Sequence, residues 1–235
     1  MSPESPAGRG PEGDPHGGEL TLEAGPDGLE LRLAGEHPGQ GVRGTPMAGF
    51  ELGEHERAGH PLARILRGVE GGVIDATAGL GVDGGVAAAL GRNVLLIERD
   101  QVVHALLQDA IERARSGPGA EVAERMHLVQ DDACRILADP PAGWERPGAV
   151  LLDPMFPPRR KRSALPPKPM QRLRTLLGHD DITGPTKLLN AARRSAARRV
   201  ILKRPPDAEI TFGEIGKPTF TIETKLLRWE VWERG

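Results

Sequence analysis

From residue 70 onward the chain repeats a simple pattern, in which short continuous apolar runs alternate with stretches of helical periodicity. The runs are Val73-Ile74, Val94-Leu95-Leu96-Ile97, Ala149-Val150-Leu151-Leu152 and Val200-Ile201-Leu202, and Met126 to Val129 adds a further one. Continuous rather than alternating apolar character means strands buried on both faces, hence a parallel sheet wrapped by helices. One intervening helix is well marked. Asp100 can cap it, Val103, Leu107, Ala110, Ile111 and Ala114 line one face, and Gly117-Pro118 stops it.

The flanks differ. Leu20 to Glu23 and Leu29 to Leu33 alternate in character around Gly25-Pro26-Asp27-Gly28, which predicts a β-hairpin. A helix is expected within residues 54 to 67, and Thr219 to Ile222 with Lys225 to Trp232 predict an antiparallel pair at the end of the sheet. Residues 1–18 contain nine Gly or Pro and no periodicity, which predicts a disordered tail. The expected organisation is that tail, a small β-containing subdomain and linker over 19–60, and a doubly wound α/β (Rossmann-like) domain over 61–235.

Composition changes this picture little. Hydrophobic content of 38% and charged content of 27% are ordinary, no apolar run reaches membrane-spanning length, and no signal-peptide pattern opens the chain, so a cytoplasmic protein is expected. Cys134 is the single cysteine, which excludes an internal disulfide and a cysteine-based zinc site. Charge distribution is more informative. Arg159 to Arg204 holds 14 Lys or Arg against Asp180 and Asp181, a block of +12 that leaves −14 on the other 189 residues. Such a block suits a solvated face or an anionic partner, nucleic acid above all.

Candidate chemistry begins at Val73-Ile74-Asp75-Ala76-Thr77-Ala78-Gly79-Leu80-Gly81-Val82-Asp83-Gly84, a strand entering a glycine turn and then a helix. Gly79, Gly81 and Gly84 satisfy G-x-G-x-x-G, and Glu98 ends the next strand where a ribose-binding acid belongs, so a nicotinamide enzyme is one reading. S-adenosylmethionine is the other. It carries an ammonium and a sulfonium but no phosphate, so a carboxylate such as Asp75 suits its pocket and would repel a pyrophosphate. Asp131 or Asp132, after the third strand, can accept from an adenine amine or cap the helix from Ala133 to Leu137.

Asp153-Pro154-Met155-Phe156-Pro157 follows the fourth strand and emerges at the carboxyl edge of the sheet, where ligands bind. Asp153 and the Pro154 carbonyl can accept the two N–H groups of a planar amine, and Phe156 can stack on its ring, an arrangement suited to amino methylation. His104, His127 and His179 have no such placement and are read as incidental.

Taken together, Asp75 to Gly81, Ile97-Glu98-Arg99-Asp100, Asp153 to Pro157, Lys161 with Ser163-Ala164-Leu165, and Lys203-Arg204-Pro205 resemble the ribosomal RNA small-subunit methyltransferase J family over roughly Leu29 to Pro205. The resemblance implies a class I fold and S-adenosylmethionine-dependent methylation of a guanine N2 amine in 16S ribosomal RNA. It implies no metal. Within the matching motifs it points to Asp75, Thr77, Gly79, Gly81, Glu98, Arg99 and Asp153 at the cofactor, where Asp131 and Asp132 are expected from their own position, and to Asp153, Pro154 and Phe156 at the target amine. Arg159, Arg160, Lys161, Arg162, Lys168, Lys203 and Arg204 are the expected phosphate contacts, joined by Arg172, Arg174 and the Arg193-Arg194 and Arg198-Arg199 pairs. Val82 and the absence of a basic cluster between Met47 and His60 depart from the family's pattern. Adenine or a protein amide as target, and a non-catalytic RNA-binding role, remain the competing readings.

Overall fold

The computed structural model describes residues 19–154, 172–173, 176–177, 184–208 and 215–234. The expected tail over 1–18, Phe156, and the basic positions Arg159 to Arg162, Lys168 and Arg174 lie outside the described residues.

Seven strands form one sheet: β3 (Val73–Asp75), β4 (Val94–Glu98), β5 (Met126–Gln130), β6 (Ala149–Leu152), β7 (Arg199–Arg204), β8 (Phe220–Glu223) and β9 (Arg228–Glu233). Their spatial order is β5-β4-β3-β6-β7-β9-β8, parallel as far as β7 and antiparallel through β9 and β8. Chain order therefore reverses between β3 and β6, where Asp75 pairs with Leu151 in register. This opens a crevice at the carboxyl ends of the two strands.

Consecutive strand residues serve opposite layers. Val73, Leu96, Leu151 and Ile201 bury against α3 (Pro61–Ile65), α4 (Val82–Ala89) and α5 (Gln101–Arg115), while Ile74, Ile97, Leu152 and Leu202 bury against α7 (Ala133–Ala138) and α8 (Gly184–Arg194). Helices on both faces explain why the strands carry no polar alternation. The expected cap on α5 is present: Asp100 Oδ1 accepts from the N–H groups of Val102 and Val103 at 2.9 and 3.0 Å.

Ahead of the sheet, β1 (Leu20–Gly25) and β2 (Gly28–Leu33) form the predicted hairpin as a separate two-stranded sheet. It docks on α5, where Leu29 N–H donates to Asp109 Oδ2 at 2.9 Å and Leu31, Val42 and Leu106 bury together. Buried Glu30 accepts from Gly39 and Gly41 N–H at 2.8 and 2.7 Å, which ties down the following loop.

The expected helix within 54–67 is two helices, α2 (Glu54–Gly59) and α3, broken at His60. Pro61 causes the break, because a residue before proline is driven out of the helical region, and His60 accordingly sits at φ −64°, ψ 140°. Its Nδ1 then accepts from Leu62 N–H at 3.2 Å, capping the helix that Pro61 begins.

Helix α4 is wedged tightly. A Cβ on Gly84 would lie 2.3 Å from Leu96 Cδ2, and one on Gly85 would lie 1.8 Å from the Pro46 carbonyl oxygen. Gly85→Ala is therefore expected to destabilise the fold by about 2 kcal/mol, although helix propensity alone would favour alanine by about 1 kcal/mol. A denaturant midpoint at or above that of the unaltered protein would contradict the wedge.

Candidate active site

Backbone geometry forms the floor of the crevice. After β3 the chain turns through Gly79 and Gly81, whose φ values of +52° and +88° belong to the left-handed region that glycine alone enters cheaply. Among the described residues, a Cβ on Gly79 would meet only the Thr77 carbonyl oxygen, at 3.8 Å, so they leave space above the loop. Glu98, at the end of β4, clasps this turn: Oε2 accepts from Gly79 N–H at 3.0 Å and Oε1 from Asp100 N–H at 2.8 Å. Burial raises the Glu98 pKa, with those backbone N–H groups opposing the rise.

Asp75 is buried at the end of β3 and accepts from Thr77 N–H at 3.1 Å. Burial, and after it the nearby Asp83 carboxylate, push its pKa up to about 7. The Thr77 hydroxyl accepts from Asp153 N–H at 2.7 Å and so ties the glycine loop to the end of β6. Asp153 is thereby fixed across the crevice from Asp75. Its side chain keeps 40% of its exposure, while Pro154 behind it is buried.

A cation completes the cluster. Lys203, at 13% side-chain exposure, lies 2.8 Å from Asp153 Oδ2 and 2.5 Å from Asp83 Oδ2, with its ammonium 5.3 Å from the centre of the Trp229 ring. His60 meets the same ring edge-on at 5.9 Å. With Asp75, Asp83 and Asp153 against one ammonium among the described residues, these carry a surplus of negative charge at the crevice. Such a site suits a cationic ligand and repels a pyrophosphate.

Comparison with known proteins decides between the two cofactors. The sequence profile described as SAM-dependent methyltransferase matches residues 54–234. Proteins named ribosomal RNA small subunit methyltransferase J are 40% identical in Dechloromonas aromatica, over 92% of this chain and 88% of that one, and 41% identical in Thioalkalivibrio sulfidiphilus, over 95% and 88%. The chain belongs to the ribosomal RNA small-subunit methyltransferase J family. A crystal structure of a SAM-dependent methyltransferase from Neisseria gonorrhoeae superposes with a TM-score of 0.67 at 29% identity, covering 94% of this chain and 85% of that one. The fold is that of a class I methyltransferase, and the enzyme is S-adenosylmethionine-dependent.

Not every expected site residue of this methyltransferase gathers at the crevice. Asp132 caps α7, its Oδ1 accepting from Arg135 N–H at 3.1 Å, which settles the capping role left open in the sequence. Asp131 adjoins Glu98 through its N–H, which donates to the Glu98 carbonyl at 3.1 Å, and its carboxylate holds Arg135 Nε at 2.6 Å. Arg99 is exposed beside Glu98.

Two expected phosphate contacts are corrected. Lys203 points into the carboxylate cluster. Arg204 is buried, at 7% side-chain exposure against 4% for its partner Glu230; it donates to both Glu230 oxygens at 2.9 and 2.6 Å and to the Ala208 carbonyl at 2.7 Å. Neither can reach a phosphate without abandoning those carboxylates. Arg172, also buried, pairs with Glu36 and donates to the Gln40 carbonyl at 2.9 Å, and Arg199 Nε donates to Glu233 at 2.5 Å. Arg199 opens β7 opposite Ala149, so it stands at the edge of the sheet remote from the crevice.

Asp83, His60 and Trp229 were missed. Asp83 carried a signal, as the acidic residue between Gly79 and Gly84. Trp229 and His60 carried none, because they reach the crevice only through the β7–β9 pairing and the break at Pro61.

Two outcomes test this geometry. Arg204→Met should cost about 3 to 5 kcal/mol by leaving Glu230 buried without its partner, with part recovered when Glu230 is also made leucine; loss of RNA affinity at unchanged stability would instead mark a phosphate contact. Asp75 has a folded pKa of about 7, above its ordinary 3.8, so folding takes up a proton between those values and stability must fall as pH rises through that window. Asp75→Asn should flatten this slope and raise the denaturant midpoint at pH 7.5. An unchanged slope would refute the shift.

Proposed function

We propose that this enzyme transfers the methyl group of S-adenosylmethionine to the exocyclic N2 amine of a guanosine in 16S ribosomal RNA, with Asp153 holding the amine. The observation that carries the reading is Asp153 itself: a carboxylate fixed at the switch point, followed by Pro154, across a crevice from the glycine loop and Asp75. The names of the relatives at about 40% identity supply the substrate class.

Asp75 and Glu98 hold the cofactor in this reading. Asp75 lies close enough to ordinary pH to ionise when a cationic ammonium approaches, and each Glu98 oxygen keeps a lone pair for a ribose hydroxyl after its backbone bond. Gly79 admits the cofactor to the backbone, Gly81 lets the turn pack against Leu107 and Pro46, and Thr77 braces the loop against β6. When bound, S-adenosylmethionine supplies a methyl on a sulfonium, an already activated leaving group that needs no metal.

The protein's task at the amine is orientation. A guanine N2 lone pair is delocalised into the ring, so the nitrogen is a weak nucleophile. Asp153 accepts one N–H and the Pro154 carbonyl the other, which fixes the nitrogen and favours charge developing on it. The family resemblance assigns stacking on the base to Phe156, which lies outside the described residues. As the N–C bond forms the nitrogen sheds a proton, and Asp153, pushed up by desolvation to about 6 against the pull of Lys203, accepts it more readily than an ordinary aspartate. Docking of the RNA falls to the basic run Arg159 to Arg162 with Lys168, which begins six residues after Asp153 in the chain. The small ribosomal subunit in the cytoplasm is the partner this implies.

The test is transfer of labelled methyl to small-subunit particles from cells lacking the protein, followed by nucleoside analysis. Label is expected in N2-methylguanosine; label in another nucleoside would overturn the target. Asp153→Ala should lower kcat by about 100-fold or more while leaving affinity for S-adenosylhomocysteine nearly unchanged, and a near-normal rate would refute the role of Asp153.

A further inference from the structure

The basic block reads as a surface for RNA, yet Lys203 turns inward. Leu202 pairs with Leu152 in the parallel register of β6 and β7, so the next residues, Lys203 and Asp153, leave the two strands as neighbours. Trp229 pairs with Lys203 from the other side, on β9, and its ring forms a wall beside the ammonium. Asp83 reaches the same ammonium from the first turn of α4. Three elements distant in sequence thus converge on one side chain.

We infer that Lys203 is a positioning residue for methyl transfer: clamped by Asp83, it grips Asp153 through Oδ2 and so fixes the carboxylate that holds the substrate amine. The inference rests on the reading of Asp153 as the group that holds that amine. Oδ2 of Asp153 takes the Lys203 ammonium at 2.8 Å, and the same ammonium meets Asp83 Oδ2 at 2.5 Å, while the Asp153 side chain keeps 40% of its exposure.

Electrostatics supports this role. Desolvation raises the Asp153 pKa, Lys203 draws it back, and Asp83 raises it again. Burial opposes the charge on Lys203, but Asp153 and Asp83 outweigh burial and hold it firmly protonated. Among the described residues, the other groups facing the cluster are Asp75 from β3, which adds negative charge, and His60 from the α2–α3 break, whose burial lowers its own pKa. Lys203 and Asp83 therefore act on Asp153 with opposite sign.

The experiment is the pH dependence of kcat at saturating S-adenosylmethionine for the full chain, which reports groups in the bound complex. Lys203→Gln should move the acid limb up by about one pH unit or more, as expected for a carboxylate losing its adjacent cation. Asp83→Asn should move the limb down, by freeing Asp153 of a neighbouring anion. Lys203→Arg should keep the limb near its original position even where the rate falls. Should Lys203→Gln not fold, the direction of the Asp83→Asn shift decides. Limbs that stay in place, or shift together in one direction, while Asp153→Ala is inactive would overturn the role of Lys203 alone. Full activity of Asp153→Ala would overturn the reading beneath it as well.

Discussion

Everything at the active edge follows from the need to keep Asp75, Asp83 and Asp153 close together while, among the described residues, Lys203 alone offsets their charge. Like charges at such distances raise one another's pKa values, and burial compounds the effect. The fold accepts this strain because the switch point between β3 and β6 leaves it little choice: the register that aligns Asp75 with Leu151 brings the ends of both strands to one crevice. The tie from Asp153 N–H to the Thr77 hydroxyl holds that alignment, and the wedge of α4 between Leu96 and Pro46 brings Asp83 within reach of Lys203. A site held open with surplus negative charge is costly without a ligand and favourable with a cationic one. That asymmetry converts stability given up by the empty protein into affinity for S-adenosylmethionine.

Much of the sheet was legible because its strands are buried on both faces and so appear as unbroken apolar runs. Asp100 was legible as a cap for a similar reason, since N-capping depends on residues within one turn of each other. Asp153 could be placed at the carboxyl edge from the end of its strand alone. What could not be read depends on pairing between distant segments. Counting charge from Arg159 to Arg204 treats every cation as equally solvated, whereas Arg204 spends its charge on Glu230 and Lys203 on Asp83, 120 residues away. The break at His60 was signalled by Pro61, but its consequence, an imidazole against Trp229, was not.

These pairings also change how the basic block relates to RNA. Lys203, Arg204, Arg172 and Arg199 are committed to carboxylates within the fold, so the charge available to phosphate is smaller than +12 suggests. Arg194 and Arg198 are exposed, but they flank the start of β7, at the edge of the sheet remote from Asp153. Substrate docking near the crevice thus depends on fewer cations than composition implies.

The central claim is the charge state of the carboxylates at the switch point, and carbon NMR of protein labelled at its aspartate carboxyl carbons measures it directly. In the free enzyme one buried aspartate should titrate near pH 7 and a second near 6, as Asp75→Asn and Asp153→Asn would assign, with the higher midpoint falling when S-adenosylmethionine binds. If every aspartate titrates below about 4, the ordinary range, with or without the cofactor, the crevice holds no such surplus and the account fails.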